Sequence, residues 1–154
     1  MAEHNNHLAG RLPPKPHPLL QTLEPLVGTW RMSGPEVAGI ITWEWMEGAF
    51  FLIQRFDLLQ QRHQKGIEYT GYDEETGTLR SRSMQTNGSR FTYTYEIDGD
   101  TWLYWFGDKS SSGHARATFS KDRRTITGRW QWVATDGSPA GYDFVLKRLD
   151  KASK

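Results

Sequence analysis

The chain has 154 residues, a formal net charge of +1 and no cysteine. That length supports one domain with a real core. The balanced charge gives no electrostatic case for nucleic acid or an anionic membrane as partner, and the missing thiols exclude disulfides and thiolate chemistry.

Residues 1–17 are polar and broken by Pro13, Pro14 and Pro16, which reads as a flexible arm. The arm has no apolar core of the signal-peptide kind, and no run in the chain approaches the roughly 18 apolar residues of a membrane helix. The expected location is cytoplasmic. His4 and His7 lie in this arm without a third metal ligand. Pro18–Leu26 predicts one short helix, with Pro18 at its start and Leu19, Leu20, Leu23 and Leu26 on one side.

From Val27 the pattern is strands and turns. Gly28, Trp30 and Met32 share a face, as do Ile41, Trp43 and Trp45. A tight turn at Glu47-Gly48 opposes Trp43 to Leu52 and Ile41 to Gln54, leaving Phe51 and Ile53 outside. Residues 58–65 read as a polar, mobile connection containing His63. Opposing Asp73 to Thr78 sets Ile67 beside Met84, Tyr69 beside Arg82 and Gly71 beside Arg80.

Asn87-Gly88 is a strong hairpin signal, because both residues tolerate φ > 0. A two-residue turn there opposes Met84 to Phe91, Arg82 to Tyr93 and Arg80 to Tyr95. It predicts Met84, Phe91, Tyr93 and Tyr95 on the core face, with Ser81, Ser83 and Gln85 in solvent. Arg80 and Arg82 then also point inward. Residues 101–107 carry rings on both faces, so their inward face stays open. A hairpin around residues 121–124 sets Ala115, Ala117, Phe119, Ile126, Gly128, Trp130 and Trp132 inward and His114 outward with Gln131; Tyr142, Phe144 and Leu146 close the core.

The expected fold class is all-β. About ten short strands joined by short turns hide their edges best by closing into an up-and-down barrel, and a barrel of that size tends to hold a cavity. The barrel domain spans residues 18–150, with a tail at 151–154. Ala115, Ala117, Gly71 and Gly128 are the small inward residues such a cavity needs. A filled β-sandwich is the alternative.

Gly28-Thr29-Trp30 resembles the Gly-x-Trp signature of the lipocalin-like (calycin) barrels. Gly71-Tyr72-Asp73 with Thr76-Gly77, Asp98-Gly99-Asp100-Thr101-Trp102, and Phe119-Ser120 with Gly128-Arg129-Trp130 extend the likeness to one family of uncharacterised bacterial calycin-like proteins. It covers roughly Leu19 to Arg148 and implies an antiparallel barrel with a central cavity and no settled activity. It also implies that Trp30 plugs one barrel end under a basic residue of the last strand, here Arg148. Nitrobindin-like barrels open with a similar Gly-Thr-Trp and hold haem through a histidine. This sequence departs from them, because His114 faces outward, His63 lies in a loop and the other histidines lie in the arm. No cofactor and no metal site is therefore expected.

The inward arginine carries the functional expectation. Arg82, flanked by Tyr69 and Tyr93 with Gln54 inward from another strand, lacks a counter-charge that a ligand carboxylate or enolate would supply. Pairing with Asp73 is the structural alternative. Trp43, Trp45, Trp130, Met84 and Phe91 complete an apolar wall. The reading is a module that binds a small, mostly hydrophobic molecule with an anionic or carbonyl group. A cofactor-free isomerase, lyase or cyclase using Arg82, Tyr69 and Tyr93 in the same cavity is the alternative. A third reading is an interaction protein that forms a homodimer through Phe51 and Ile53.

Overall fold

A computed structural model describes residues 10–150. His4, His7 and the tail 151–154 lie outside these residues. A 3₁₀ helix, Pro18–Leu26, buries Leu20, Leu23 and Leu26, while Leu19 stays partly exposed. His17 caps it by accepting a hydrogen bond from the Leu19 amide and stacks on Tyr72 at 3.6 Å.

Ten strands follow: β1 (Gly28–Ser33), β2 (Ala38–Trp45), β3 (Phe51–Gln60), β4 (Arg62–Asp73), β5 (Thr78–Gln85), β6 (Arg90–Asp98), β7 (Thr101–Phe106), β8 (His114–Phe119), β9 (Thr125–Val133) and β10 (Pro139–Arg148). Each pairs antiparallel with the next, and β1 pairs with β10, so the sheet closes into a barrel without free edges. Closure satisfies the ladder hydrogen bonds that an open edge would leave exposed. The expected all-β up-and-down barrel is the observed fold, and the sandwich is not.

The helix stops the end of the barrel where β1 begins. Trp30 is fully buried there and its indole Nε1 donates to Leu26 O at 2.8 Å. The Arg148 guanidinium lies 4.2 Å from the Trp30 ring centre and donates to Val27 O and Pro25 O. One cation thus stacks on the plug and holds the chain entering β1, in the arrangement that the Gly-x-Trp signature implies. Trp45, expected in the ligand wall, also belongs to this end, where its Nε1 donates to Glu24 Oε2 at 2.6 Å.

Several faces hold as expected. Trp30 and Met32, Ile41 and Trp43, Ala115, Ala117 and Phe119, and Phe144 and Leu146 are buried. Trp102 and Tyr104 resolve the open strand: they point inward, and Trp105 lies outside under Lys109. Ala115, Ala117 and Gly128 make room for rings rather than for empty space. Ala117 pairs with both Trp102 and Gly128, and a Cβ on Gly128 would meet Phe144 at 2.7 Å. Gly71, in contrast, lies on the outer face under the Phe51 ring.

Three turns differ from the sequence expectation. Met46 N donates to Phe51 O, so the turn after β2 encloses four residues, 47–50. This slides the register by two, so Trp43 faces Gln54 and Ile41 faces Phe56. A slip of two preserves faces, and Leu52, Gln54 and Phe56 stay inward while Phe51 stays exposed. Residues 58–65 form no loop. β3 and β4 run on as a long hairpin that reverses at Gln61, with His63 bonded to Asp57 on its outer face.

The third turn matters most. Residues 86–88 form a three-residue loop, closed by Gln85 N to Ser89 O at 3.0 Å, with Gly88 at φ +89°. Arg82 therefore pairs with Thr92, and Ser83 with Phe91. A slip of one inverts the strand. Leu79, Ser81 and Ser83 are buried inside, whereas Arg80, Arg82 and Met84 point outward. The expected pairs Tyr69 with Arg82 and Gly71 with Arg80 are present, but on the outside of the barrel.

Replacing Arg148 with Met should destabilise the protein by about 2–4 kcal/mol in urea unfolding. The change removes a stacked cation and leaves the carbonyls of Val27, Pro25 and Arg123 without their charged donor. A loss below about 0.5 kcal/mol would show that the plug does not depend on this cation.

Candidate functional site

The interior between the plug and the opposite, open end is a chamber of about 150 Å³, the size that accommodates a single benzene-like ring. Its two walls differ. Strands β3, β4 and β5 supply Gln54, Gln64, Glu68, Ser83 and Gln85, a polar wall. Strands β6, β7, β9 and β10 supply Tyr93, Tyr95, Trp102, Tyr104, Trp130 and Tyr142, an aromatic wall. Trp43 of β2 bridges them, 5.9 Å from Trp102 and opposite Gln54.

The aromatic wall is continuous. Trp102 stacks on Tyr104 at 4.5 Å, Tyr104 meets Trp130 edge-on at 4.6 Å, and Tyr93 lies 6.2 Å from Trp130. Offset and edge-on contacts of this kind set each ring's orientation. Tyr93, Trp130 and Tyr142 also border an outer basin of about 430 Å³ at the open end, with Phe106 and Trp132 on its rim. These three rings form the throat between basin and chamber.

Glu68 is the one acidic side chain in the chamber lining. It is 5% exposed, and the Tyr95 hydroxyl donates to its Oε2. Burial pushes its carboxyl above the ordinary glutamate value of 4.5, with hydrogen bonding to Tyr95 opposing the shift. The same burial raises Tyr95 and Tyr104 well above the usual phenol range, with the charge of Glu68 adding to it. Tyr93 is raised for the same two reasons, and Tyr142 is pushed up by burial to about 12. At neutral pH these phenols are hydrogen-bond donors, not bases.

Several buried polar atoms lack a protein partner. They are the indole nitrogens of Trp43 and Trp102, Ser81 Oγ and Gln85 Oε1. An unmade hydrogen bond at a buried group costs about 1–3 kcal/mol. Trp43, Trp102 and Gln85 line the chamber itself.

The sequence-derived candidates divide cleanly. Gln54, Trp43, Tyr93 and Trp130 line the chamber. Phe91 has inward parity at the open end and packs on Phe106 at 5.2 Å. Arg82, Tyr69 and Met84 lie outside, on a strip that includes Phe51 and Ile67. Phe51 is 45% exposed there, while Ile53 is covered by its outer-face neighbours. Asp73 does not pair with Arg82; it accepts a hydrogen bond from Thr76.

Glu68, Ser83, Gln85 and Tyr104 were not foreseen as site residues. The signal for Glu68 was available in the parity of Gln54. Carried through a continuous β3–β4 hairpin, an inward Gln54 forces an inward Glu68. Reading residues 58–65 as a loop broke that chain of parity.

His63 and His114 lie on the outer face, and His17 is exposed beside Tyr72. The described histidines therefore do not fit a haem held from inside the barrel. Among the described residues no group of three or more His, Asp or Glu side chains is arranged to hold a metal, and no helix is long and apolar enough to cross a membrane.

No protein-family model matches the sequence, and no curated protein matches it. Among solved structures the chain is similar to Rv2717c from M. tuberculosis, at 15% identity and a TM-score of 0.56. The match covers 88% of this chain and 100% of that one. A likeness at that identity bears on the fold.

The raised carboxyl of Glu68 makes stability fall with pH. Below 4.5 the group is protonated in both folded and unfolded chains. Above 4.5 the unfolded chain releases the proton and the folded chain keeps it, so folding weakens until the folded group also ionises. Glu68→Gln should flatten this descent in urea unfolding measured across pH, gaining on wild type as pH rises. A constant offset at all pH values would contradict it. Arg82→Met, on the outer face, should change stability by no more than about 0.5 kcal/mol.

Proposed function

We propose that the barrel is a binding module for a small, mostly hydrophobic molecule, held with one ring in the chamber and the rest in the throat and basin. The observation that carries this reading is the set of buried, unpartnered groups on the chamber wall. The Trp43 and Trp102 indole N–H groups point to a ligand acceptor such as a carbonyl oxygen. An indole N–H in a dry, ring-lined space gains more from such an oxygen than it would in water. The aromatic wall supplies contact area for the apolar body.

The anionic version of the ligand loses its support, because Arg82 stands outside and Glu68 inside. The carbonyl version keeps it. The Gly-Thr-Trp opening and the Arg148 stack on Trp30 support membership of the lipocalin-like barrels, for which an interior ligand is a natural use of the fold.

A cofactor-free isomerase, lyase or cyclase is the second reading, favoured by one observation. Glu68 and Tyr95 form a hydrogen-bonded acid pair inside the chamber. A carboxylate there can take a proton from carbon beside the ligand carbonyl and return it at another carbon, while an indole N–H holds the enolate oxygen.

Binding is read from tryptophan fluorescence with acetophenone and with two-ring and three-ring aryl ketones. Acetophenone should quench saturably, and the three-ring compound should not. Ser83→Leu, which extends an apolar side chain from the polar wall into the chamber, should weaken acetophenone by about tenfold or more. Equal binding of all ring sizes, or an unchanged affinity in Ser83→Leu, would contradict an interior site. Return of a chemically altered ketone would favour the enzyme.

A further inference from the structure

Glu68 is a buried acid in a chamber whose lining, among the described residues, contains no Lys, Arg or His. It takes part in none of the ion pairs of the described residues, which lie at exposed or partly exposed positions such as Arg55–Glu44, Arg129–Asp143 and Arg148–Asp150. Its protein partner is a neutral phenol. Removing a carboxylate from water without a counter-ion costs several kcal/mol. Most glutamates at such positions have an arginine or lysine beside them; this one has rings.

Those rings carry charge information of their own. An aromatic face is the negative end of a quadrupole and attracts a cation within about 6 Å of its centre. Tyr95 lies 5.7 Å from Trp102 and 5.4 Å from Tyr104, and Tyr104 lies 4.6 Å from Trp130. Gln85 adds a buried oxygen with no donor. A carboxylate, an unpaired amide oxygen and a set of ring faces share one sign of potential, and among the described residues no cationic side chain in the lining offsets it.

We propose that the ligand of this chamber is a small organic cation, a protonated amine or quaternary ammonium, with Glu68 as its counter-ion and Trp102, Tyr104 and Trp130 as its aromatic cage. This rests on the reading that the chamber holds a ligand, and it names the ligand's charge. The acceptor oxygen that satisfies the Trp43 indole then belongs to the same molecule, at a position away from the charged nitrogen. Binding completes a charge pair that the protein leaves open. Wherever Glu68 is protonated in the empty chamber, the entering cation displaces that proton to solvent, so proton release accompanies binding and fades as pH rises.

Every titratable group facing Glu68 is accounted for. Tyr95 and Tyr93 approach from β6, Tyr104 from β7 and Tyr142 from β10, and burial keeps each of them protonated at neutral pH. Gln54, Ser81 and Ser83, on the neighbouring strands, do not titrate. A change in cation affinity with pH therefore reports on Glu68.

The test compares benzylamine, benzyl alcohol and benzoate, which share a ring and differ in charge, on the full chain by isothermal calorimetry. Benzylamine should bind at least about tenfold more tightly than benzyl alcohol near neutral pH, with benzoate weakest. The gap should widen as pH rises, because the raised carboxyl of Glu68 gives up its proton more readily at higher pH. Heats measured in two buffers of different ionisation enthalpy should show proton release. Glu68→Gln should close the gap between amine and alcohol. If that variant does not fold, the wild-type pH profile and proton release decide. Benzyl alcohol binding as well as benzylamine at every pH would overturn the cation while leaving the chamber as a site. Binding by none of the three would overturn the chamber reading itself.

Discussion

A closed antiparallel sheet leaves each strand a single choice of which alternate residues face inward. Because neighbours are locked by paired hydrogen bonds, that choice passes from strand to strand around the barrel. Gln54 inside requires Glu68 inside, which requires Ser83 inside, which requires Phe91 inside. The charge of the interior is thus fixed by register and not by local polarity. Here the chain accepts a polar inner wall on β3 to β5 and sets Ile67, Tyr69 and Met84 on the outside of the same strands. Around the chamber these strands place Gln54, Gln64, Glu68, Ser83 and Gln85 inward beside Leu52, Phe56 and Leu79, and the polar groups of the chamber follow from that register.

The two ends of the barrel complete the design. One is stopped by the 3₁₀ helix, with Arg148 stacked on Trp30 and bonded to the chain that leads into β1. Those groups satisfy one another and leave nothing for a ligand. The unpartnered groups of Trp43, Trp102 and Gln85 line the chamber between the plug and the throat of Tyr93, Trp130 and Tyr142. The plug and the unpartnered groups are therefore separated along the barrel axis. The open end presents rings first and the carboxyl of Glu68 deeper in. The cost of holding an acid in that position falls on folding, and a bound cation of the kind proposed would offset it.

Much of this was legible in the sequence. The alternation of Trp30 and Met32, of Ile41 and Trp43, and of Ala115, Ala117 and Phe119 gave the correct inner faces, because those strands bury apolar side chains in the ordinary way. The number of strands and the closure followed from short turns and the need to hide edges. What failed was turn length. Asn87-Gly88 is compatible with both a two-residue turn and the three-residue loop observed, in which Gly88 alone takes the positive φ. That one residue turned Arg82 outward and reversed the sign of the charge available to a ligand. The alternation of Ile67 and Tyr69 reinforced the error, since an apolar stripe on an outer face looks in sequence like an inner one.

The claim on which the rest stands is that the interior around Glu68 is the binding site. The most direct measurement is a titration of the tryptophan indole N–H resonances with benzylamine, followed by proton–nitrogen correlation spectra. Trp43, Trp102 and Trp130 line the chamber, whereas Trp105 lies on the outer face beneath Lys109. Saturable shifts are expected at the first three and none at Trp105. Shifts confined to Trp105, with the interior indoles unmoved, would contradict that claim.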